Sequence, residues 1–301
     1  MSEKKTILVT GATGAQGGSV ARFLLADGTY NVRGLTRHLS SDKAKALQDS
    51  GVEMVEGDLN DLTGLRNAIH GCYGVFGVTN FWEHFDKEYP QGKNLIDAVA
   101  AEKVRHFVFS SLPHAKEISG GKLSVPHLDM KAKLEEYART LDIPTTFVHV
   151  AFYYENFLNF FPPQHGDNGS YVFSFPQGET PLAGVAVEDI GGVVAQIFNQ
   201  PENFVGKVIG IVGDDLKPVD YADQMSKSLG KKIVYNYVPR DVFASFGFPG
   251  AEDLANMFEF NRLYIPNQTA ELEESRRLYP KIRSFDQWLT DNKDMLAAVL
   301  K

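Results

Sequence analysis

Glycines at positions 11, 14 and 17 are the first residues whose spacing implies chemistry. The run Gly11-Ala12-Thr13-Gly14-Ala15-Gln16-Gly17 follows a short apolar stretch, 6–10, and leads into a helical pattern, 17–26. A glycine-rich turn between a strand and a helix lets backbone approach a pyrophosphate. The helix start then offers N–H groups and partial positive charge. The spacing is G-x-x-G-x-x-G rather than the commoner G-x-G-x-x-G. Sites that select NAD carry an Asp or Glu about 20 residues further on, which accepts from the ribose 2′-hydroxyl. Here the second strand pattern ends Leu35-Thr36-Arg37, with no carboxylate. The planar fork of Arg37 suits a 2′-phosphate instead, so the expected cofactor is NADP(H). After the third strand pattern, Asp58, with Leu59 beside it, can accept from an adenine amino group. Asp61 is the better cap for the next helix. Thr79 and Asn80 end the fourth strand and are expected to meet the diphosphate or the nicotinamide ribose, while Phe81 and Trp82 are expected to shape the cleft or an interdomain contact.

These residues need a scaffold that brings strand ends together, and the first half of the chain has that pattern. Strand-like runs at 6–10, 30–36, 53–56, 74–78, 106–110 and 145–150 alternate with helical patterns at 17–26, 42–49, 62–70, 92–101 and 127–140. Such alternation predicts an α/β fold, a doubly wound parallel Rossmann sheet with helices on both faces. After Val150 an aromatic, proline-bearing stretch breaks the pattern. A helix at 189–199 and a strand at 207–212 are expected to return to the sheet. The expected organisation is a Rossmann domain over 1–152, with 187–213 returning to it, and a second, smaller α/β C-terminal domain made of 153–186 and 214–301.

The segments Gly11 to Val20, Arg37, Gly57-Asp58, Val78-Thr79-Asn80 and Tyr154-Glu155-Asn156-Phe157 resemble the NmrA-like family, an atypical branch of the short-chain dehydrogenases/reductases. Phe248-Pro249-Gly250-Ala251 and Asp253-Leu254-Ala255-Asn256-Met257-Phe258 extend the resemblance over nearly the whole chain. It implies an NADP-binding Rossmann domain, a small C-terminal domain and, in many members, no demonstrated turnover. It also implies that the loop carrying Tyr153, Tyr154, Glu155 and Asn156 faces the nicotinamide side. Active members of the wider superfamily use Y-x-x-x-K after the fifth strand, where the tyrosine exchanges a proton and the lysine holds the ribose and lowers the tyrosine's pKa. This chain reads His127-Leu128-Asp129-Met130-Lys131 at that place. The lysine spacing is kept and the tyrosine is not. Tyr137 lies C-terminal to Lys131 and cannot fill the motif. Ser110 and Ser111 end the fifth strand, where the superfamily keeps a substrate-orienting serine. Lys131 is expected to hold ribose hydroxyls with or without chemistry. His127 reads first as a bystander in the first helical turn after Pro126 and second as an acid/base, and Lys131, His127 and Tyr153 are the candidates if a proton is handled.

Two functions follow. One is a redox-sensing or regulatory protein that responds to NADPH/NADP+ with little or no turnover, through loops such as 81–90. The other is an NADPH-dependent reductase of a quinone, enone or other carbonyl compound. The rest of the sequence narrows the field. A net charge of −8 and the lack of a basic run argue against nucleic acid as a direct partner. A regulatory protein partner and a homodimer both stay open. No apolar stretch is long enough for a membrane span, and the absence of a secretory signal with a single cysteine, Cys72, gives an expectation of a cytoplasmic protein, with nuclear presence also compatible. Cys72 reads as a small packing residue rather than a redox thiol. No H-E-x-x-H or C-x-x-C spacing exists, so no metal site is expected.

Overall fold

Short apolar runs separated by amphipathic ones become strands and crossover helices. The computed structural model describes residues 4–83 and 85–300, and residues 1–3, 84 and 301 lie outside that description. In chain order the first elements are β1 (Thr6–Val9), α1 (Ala15–Asp27), β2 (Asn31–Thr36), α2 (Asp42–Asp49), β3 (Glu53–Glu56), α3 (Leu62–Ile69), β4 (Gly74–Gly77), α4 (Glu88–Ala101), β5 (His106–Ser111), α5 (Pro126–Arg139) and β6 (Thr145–Val150). Later α6 (Val187–Asn199) and β7 (Val208–Ile211) follow. The seven strands form one sheet in the spatial order β7-β6-β5-β4-β1-β2-β3. The pairings of β1 with β2 and β4, β2 with β3, β4 with β5 and β5 with β6 are all parallel. The doubly wound parallel sheet predicted from the sequence is therefore present. Strand order reverses between β1 and β4, and in such sheets ligands bind beyond the carboxyl ends of the strands at that switch point.

Continuous apolar character in β1, β4 and β5 is what burial on two faces requires. Leu8, Val75, Phe107 and Phe109 pack with Leu65, Ile69, Leu95, Val99 and Leu134 from the helices. A Cβ on Gly92 would lie 2.2 Å from Leu134 Cδ1, so α4 and α5 approach closely only because that residue is glycine. Helix α4 begins at Glu88, four residues before the sequence pattern placed it. Pro90 falls in the first turn, where its missing N–H has no intrahelical partner to lose.

The chain groups into two units, one holding residues up to Pro113, His127–Val150 and Glu188–Ile209, the other His114–Pro126, Ala151–Val187 and Gly210 onward. Residues 114–126 thus group with the second unit, although they lie inside the 1–152 span that the sequence pattern gave to the Rossmann domain. The second unit contains two three-stranded sheets. In one, Leu182–Val185 lies between Phe152–Tyr153 and Asp214–Leu216; in the other, Tyr171–Phe175 lies between Gln164–His165 and Ile233–Tyr237. Its core is aromatic, with Phe175 stacked on Phe258 at 4.6 Å between centroids and Tyr154, Phe157, Tyr221, Phe285 and Trp288 buried around them. Among the described residues, no helix is long and apolar enough to cross a membrane.

A titratable ring is buried within the sheet. His106, at the start of β5, is fully buried, and its ring lies 5.2 Å from Phe198 and 2.9 Å, Nε2 to Oγ1, from Thr146. Burial pushes its pKa down from 6.5 to about 4, because a charged ring has no water there. The folded chain therefore holds His106 neutral while the unfolded chain protonates it below pH 6.5. Its contribution is complete above that pH and is lost as pH falls toward 4, by about 3 kcal/mol at the lower end. In denaturant unfolding at pH 7 and pH 4.5, His106→Gln should show a shallower pH dependence than wild type. Parallel losses in the two proteins would show that the ring is not the acid-sensitive group.

Candidate functional site

The strands β1 to β5 run parallel, so the residues that follow them share one edge of the sheet. Gly11–Gly17 leaves β1, Arg37 leaves β2, Asp58 and Leu59 leave β3, and Thr79, Asn80 and Phe81 leave β4. His127 and Lys131 lie on α5, the helix that precedes β6. The first unit brings all of them together on its own.

Backbone sterics set the loop after β1. Gly11 has φ +58°, a conformation costly for residues with a Cβ. The Gly14 N–H donates to Gly11 O at 2.8 Å and closes the turn. A Cβ on Gly17 would fall 2.3 Å from Gly11 O and 2.4 Å from Thr10 O, so α1 begins hard against the loop. Thr10 fixes the loop to the next strand: Thr10 Oγ1 donates to Val78 O at 3.2 Å and accepts from Val78 N at 2.9 Å. Helix α1 starts at Ala15 with no side-chain cap and no acidic residue in its first turn. An uncapped helix start behind a glycine turn is an anion cradle built from backbone N–H groups. Deeper in the same helix, Ser19 Oγ donates to Glu188 O and accepts from Gly191 N at 2.9 Å, and Arg22 pairs with the Glu188 carboxylate. These bonds anchor α1 on α6 and hold the cradle rigid.

Arg37 is half exposed, and its Nη1 donates to Glu83 Oε1 at 2.6 Å. The Glu83 carboxylate, with a smaller contribution from Asp58, pushes the Arg37 pKa up. Asp58 Oδ1 accepts from Asn60 N at 2.8 Å and from Asn60 Nδ2 at 2.7 Å, so one oxygen shapes the turn after β3. Phe81 is buried in an aromatic group with Trp82 and Phe85, and the His127 ring lies 6.0 Å from Phe81 and 5.2 Å from Trp82. Ser111 Oγ donates to Lys131 O at 3.1 Å and ties α5 to β5.

The Lys131 ammonium has a definite set of partners. Nζ donates to Thr79 O at 3.0 Å, Thr79 Oγ1 at 2.9 Å and Glu88 Oε1 at 2.5 Å. An ammonium has three protons, and each has an acceptor. Glu88 is fully buried, and Thr79 Oγ1 also donates to its Oε1, at 2.7 Å. The second carboxylate oxygen, Oε2, is buried with no hydrogen-bond partner among the described residues. Sequence reasoning missed Glu88. Its only signal was position, a carboxylate in the first turn of a helix, where the dipole favours negative charge. It missed Glu83 and the Thr10 clip as well.

Tyr153, Tyr154, Glu155 and Asn156 belong to the second unit. Tyr153 pairs with Val185 in the short parallel ladder. Tyr154 is fully buried in the aromatic core. The Glu155 carboxylate accepts from Val187 N, at 3.2 and 3.1 Å to its two oxygens, and from Trp288 Nε1 at 3.0 Å; burial pushes its pKa up. Asn156 opens a short helix, Asn156–Asn159. Cys72 is half-buried, and burial pushes its thiol pKa up despite Arg33 Nη1 at 3.5 Å, which keeps it a protonated, weakly nucleophilic thiol.

The NmrA-like family profile matches residues 3–289. The chain belongs to the NmrA-like family. It is similar to an NmrA-like family domain-containing protein of Dictyostelium discoideum, at 28% identity over 295 residues, 95% of this chain and 97% of that protein. It is 33% identical over 281 residues to the NmrA-like family domain-containing oxidoreductase FrzB of Cladobotryum sp, covering 85% of this chain and 83% of FrzB. Among solved structures it is similar to NmrA, a negative transcriptional regulator, in complex with NADP, with a TM-score of 0.81, 25% identity and coverage of 99% of this chain and 98% of NmrA. NmrA in complex with NAD gives a TM-score of 0.83 at 25% identity, with the same coverage.

Proposed function

We propose that this NmrA-like protein binds NADP(H) in the first unit and acts as a redox-responsive regulatory protein with little or no turnover. The observation that carries the second half of this reading is the Lys131 ammonium, whose three protons go to Thr79 and Glu88. A group spent on a buried ion pair is a poor proton donor. The tyrosine position holds His127, set among Phe81 and Trp82. The cofactor half rests on the glycine turn, packed so closely on α1 that a Cβ at Gly17 would fall 2.3 Å from Gly11 O, and on the uncapped start of α1. In that reading residues 11–17 hold the pyrophosphate and Arg37 the 2′-phosphate. Asp58 and Leu59 lie on the adenine side, and Thr79, Asn80 and Phe81 toward the nicotinamide ribose, while the Lys131 ammonium, expected from the sequence to hold ribose hydroxyls, is turned to Thr79 and Glu88 instead. Tyr154 and Glu155, expected from the sequence at the nicotinamide side, are committed within the second unit instead, Tyr154 to its aromatic core and the Glu155 carboxylate to Val187 N and Trp288 Nε1. NmrA, solved with both NADP and NAD and named a transcriptional regulator, supports a regulatory role.

The second reading is an NADPH-dependent reductase of a quinone, enone or other carbonyl compound. It is favoured by relatives at 30% identity and above that are named oxidoreductases and by the half-exposed rings of Trp82 and Phe85, which suit a flat apolar molecule. Bound NADPH would supply the hydride, and Lys131 or His127 would have to supply the proton. Two assays on one preparation separate the readings. Saturating NADPH should change hydrogen exchange around residues 79–88 while its absorbance stays constant across a quinone and carbonyl panel. Substrate-dependent NADPH oxidation that Lys131→Ala abolishes, with binding retained, would make the protein a reductase.

A further inference from the structure

Arg37 already holds an anion from its own chain. Its Nη1 donates to Glu83 Oε1 at 2.6 Å, and the two side chains are 47% and 37% exposed. Glu83 lies on the segment that leaves β4, whereas Arg37 follows β2, so the pair joins segments that leave strands on the two sides of β1. The guanidinium faces a second carboxylate at longer range, Asp58. Carboxylate and phosphate oxygens seek the same donors on an arginine fork.

We infer that Glu83 is a specificity-determining residue that weakens NADP(H) binding relative to NAD(H). The inference rests on Arg37 reading the 2′-phosphate. A 2′-phosphate must either take Arg37 from Glu83 or share it, with two like charges side by side. A cofactor with a 2′-hydroxyl leaves the Arg37–Glu83 pair in place. Glu83 thereby raises the NADPH concentration at which the site fills, which for a sensor sets the working range. The pair is half exposed and solvent-screened, so the effect is moderate: about fivefold, the equivalent of about 1 kcal/mol.

The test is a calorimetric titration of NADPH and NADH into wild type, Glu83→Gln, Arg37→Ala and the double variant. Glu83→Gln should bind NADPH about fivefold more tightly and change NADH less than twofold. In the Arg37→Ala background the same substitution should change nothing, since the coupling runs through the guanidinium. NADPH affinity that is unchanged or weakened in Glu83→Gln overturns the inference, the latter meaning that Glu83 positions Arg37 for the phosphate. So does an equal gain for NADH, or a gain that persists without Arg37. If Arg37→Ala leaves NADPH binding intact, the Arg37 reading itself fails. If Arg37→Ala weakens NADPH and Glu83→Gln does nothing, the Glu83 inference fails alone.

Discussion

Replacing Glu88 by Gln is expected to destabilise the first unit by about 3–5 kcal/mol. Glu88 is fully buried, and Lys131 is nearly so. Their ion pair is closed on both sides by Thr79, which donates to the carboxylate and accepts from the ammonium. Glutamine keeps the shape and an acceptor but removes the countercharge, leaving an ammonium in a low-dielectric site. At a few degrees per kcal/mol, the melting temperature of the unit should fall by roughly 10 °C. A paired replacement, Glu88→Leu with Lys131→Met, removes both charges and should recover most of the loss, because swapping a buried pair for apolar groups is close to neutral. Thermal unfolding followed by circular dichroism, with hydrogen exchange on β4 and α4, would measure both variants. If Glu88→Gln melts with wild type, the ion pair does not hold Lys131, and the lysine is available for the ribose or for proton transfer.

How much of this was legible in the sequence depends on the range of the interactions. The glycine loop and the parallel sheet come from local rules: glycine where a Cβ cannot fit, apolar runs where strands are covered on both faces. Local patterning was enough for β1 to β6. The start of α4 was placed four residues late, and Pro90 falls in its first turn, where it costs nothing. The Glu88–Lys131 pair spans 43 residues, and Arg37–Glu83 spans 46. Neither shows in the chain, because nothing about Glu83 or Glu88 in isolation says which cation it meets. The strand Tyr171–Phe175 was likewise hidden in an aromatic, proline-bearing stretch. Its partner, Ile233–Tyr237, lies 62 residues further on, and only packing against Phe258 and Tyr235 makes it a strand.

Arg37→Asp carries the largest expected change in ligand binding. The substitution removes the guanidinium and adds a third carboxylate beside Asp58 and Glu83, where a 2′-phosphate would have to lie. Charge-assisted hydrogen bonds contribute about 1.5–3 kcal/mol, so NADPH affinity should fall about 100-fold. NADH has no 2′-phosphate and should change only a few-fold, through the glycine cradle that both cofactors share. Titration of NADPH and NADH into wild type and Arg37→Asp, side by side in one buffer, is the most direct measurement of the account. Wild type should bind NADPH the more tightly, and this preference should disappear or invert in the variant. Equal affinity of wild type for the two cofactors, or equal losses for both in Arg37→Asp, would contradict it.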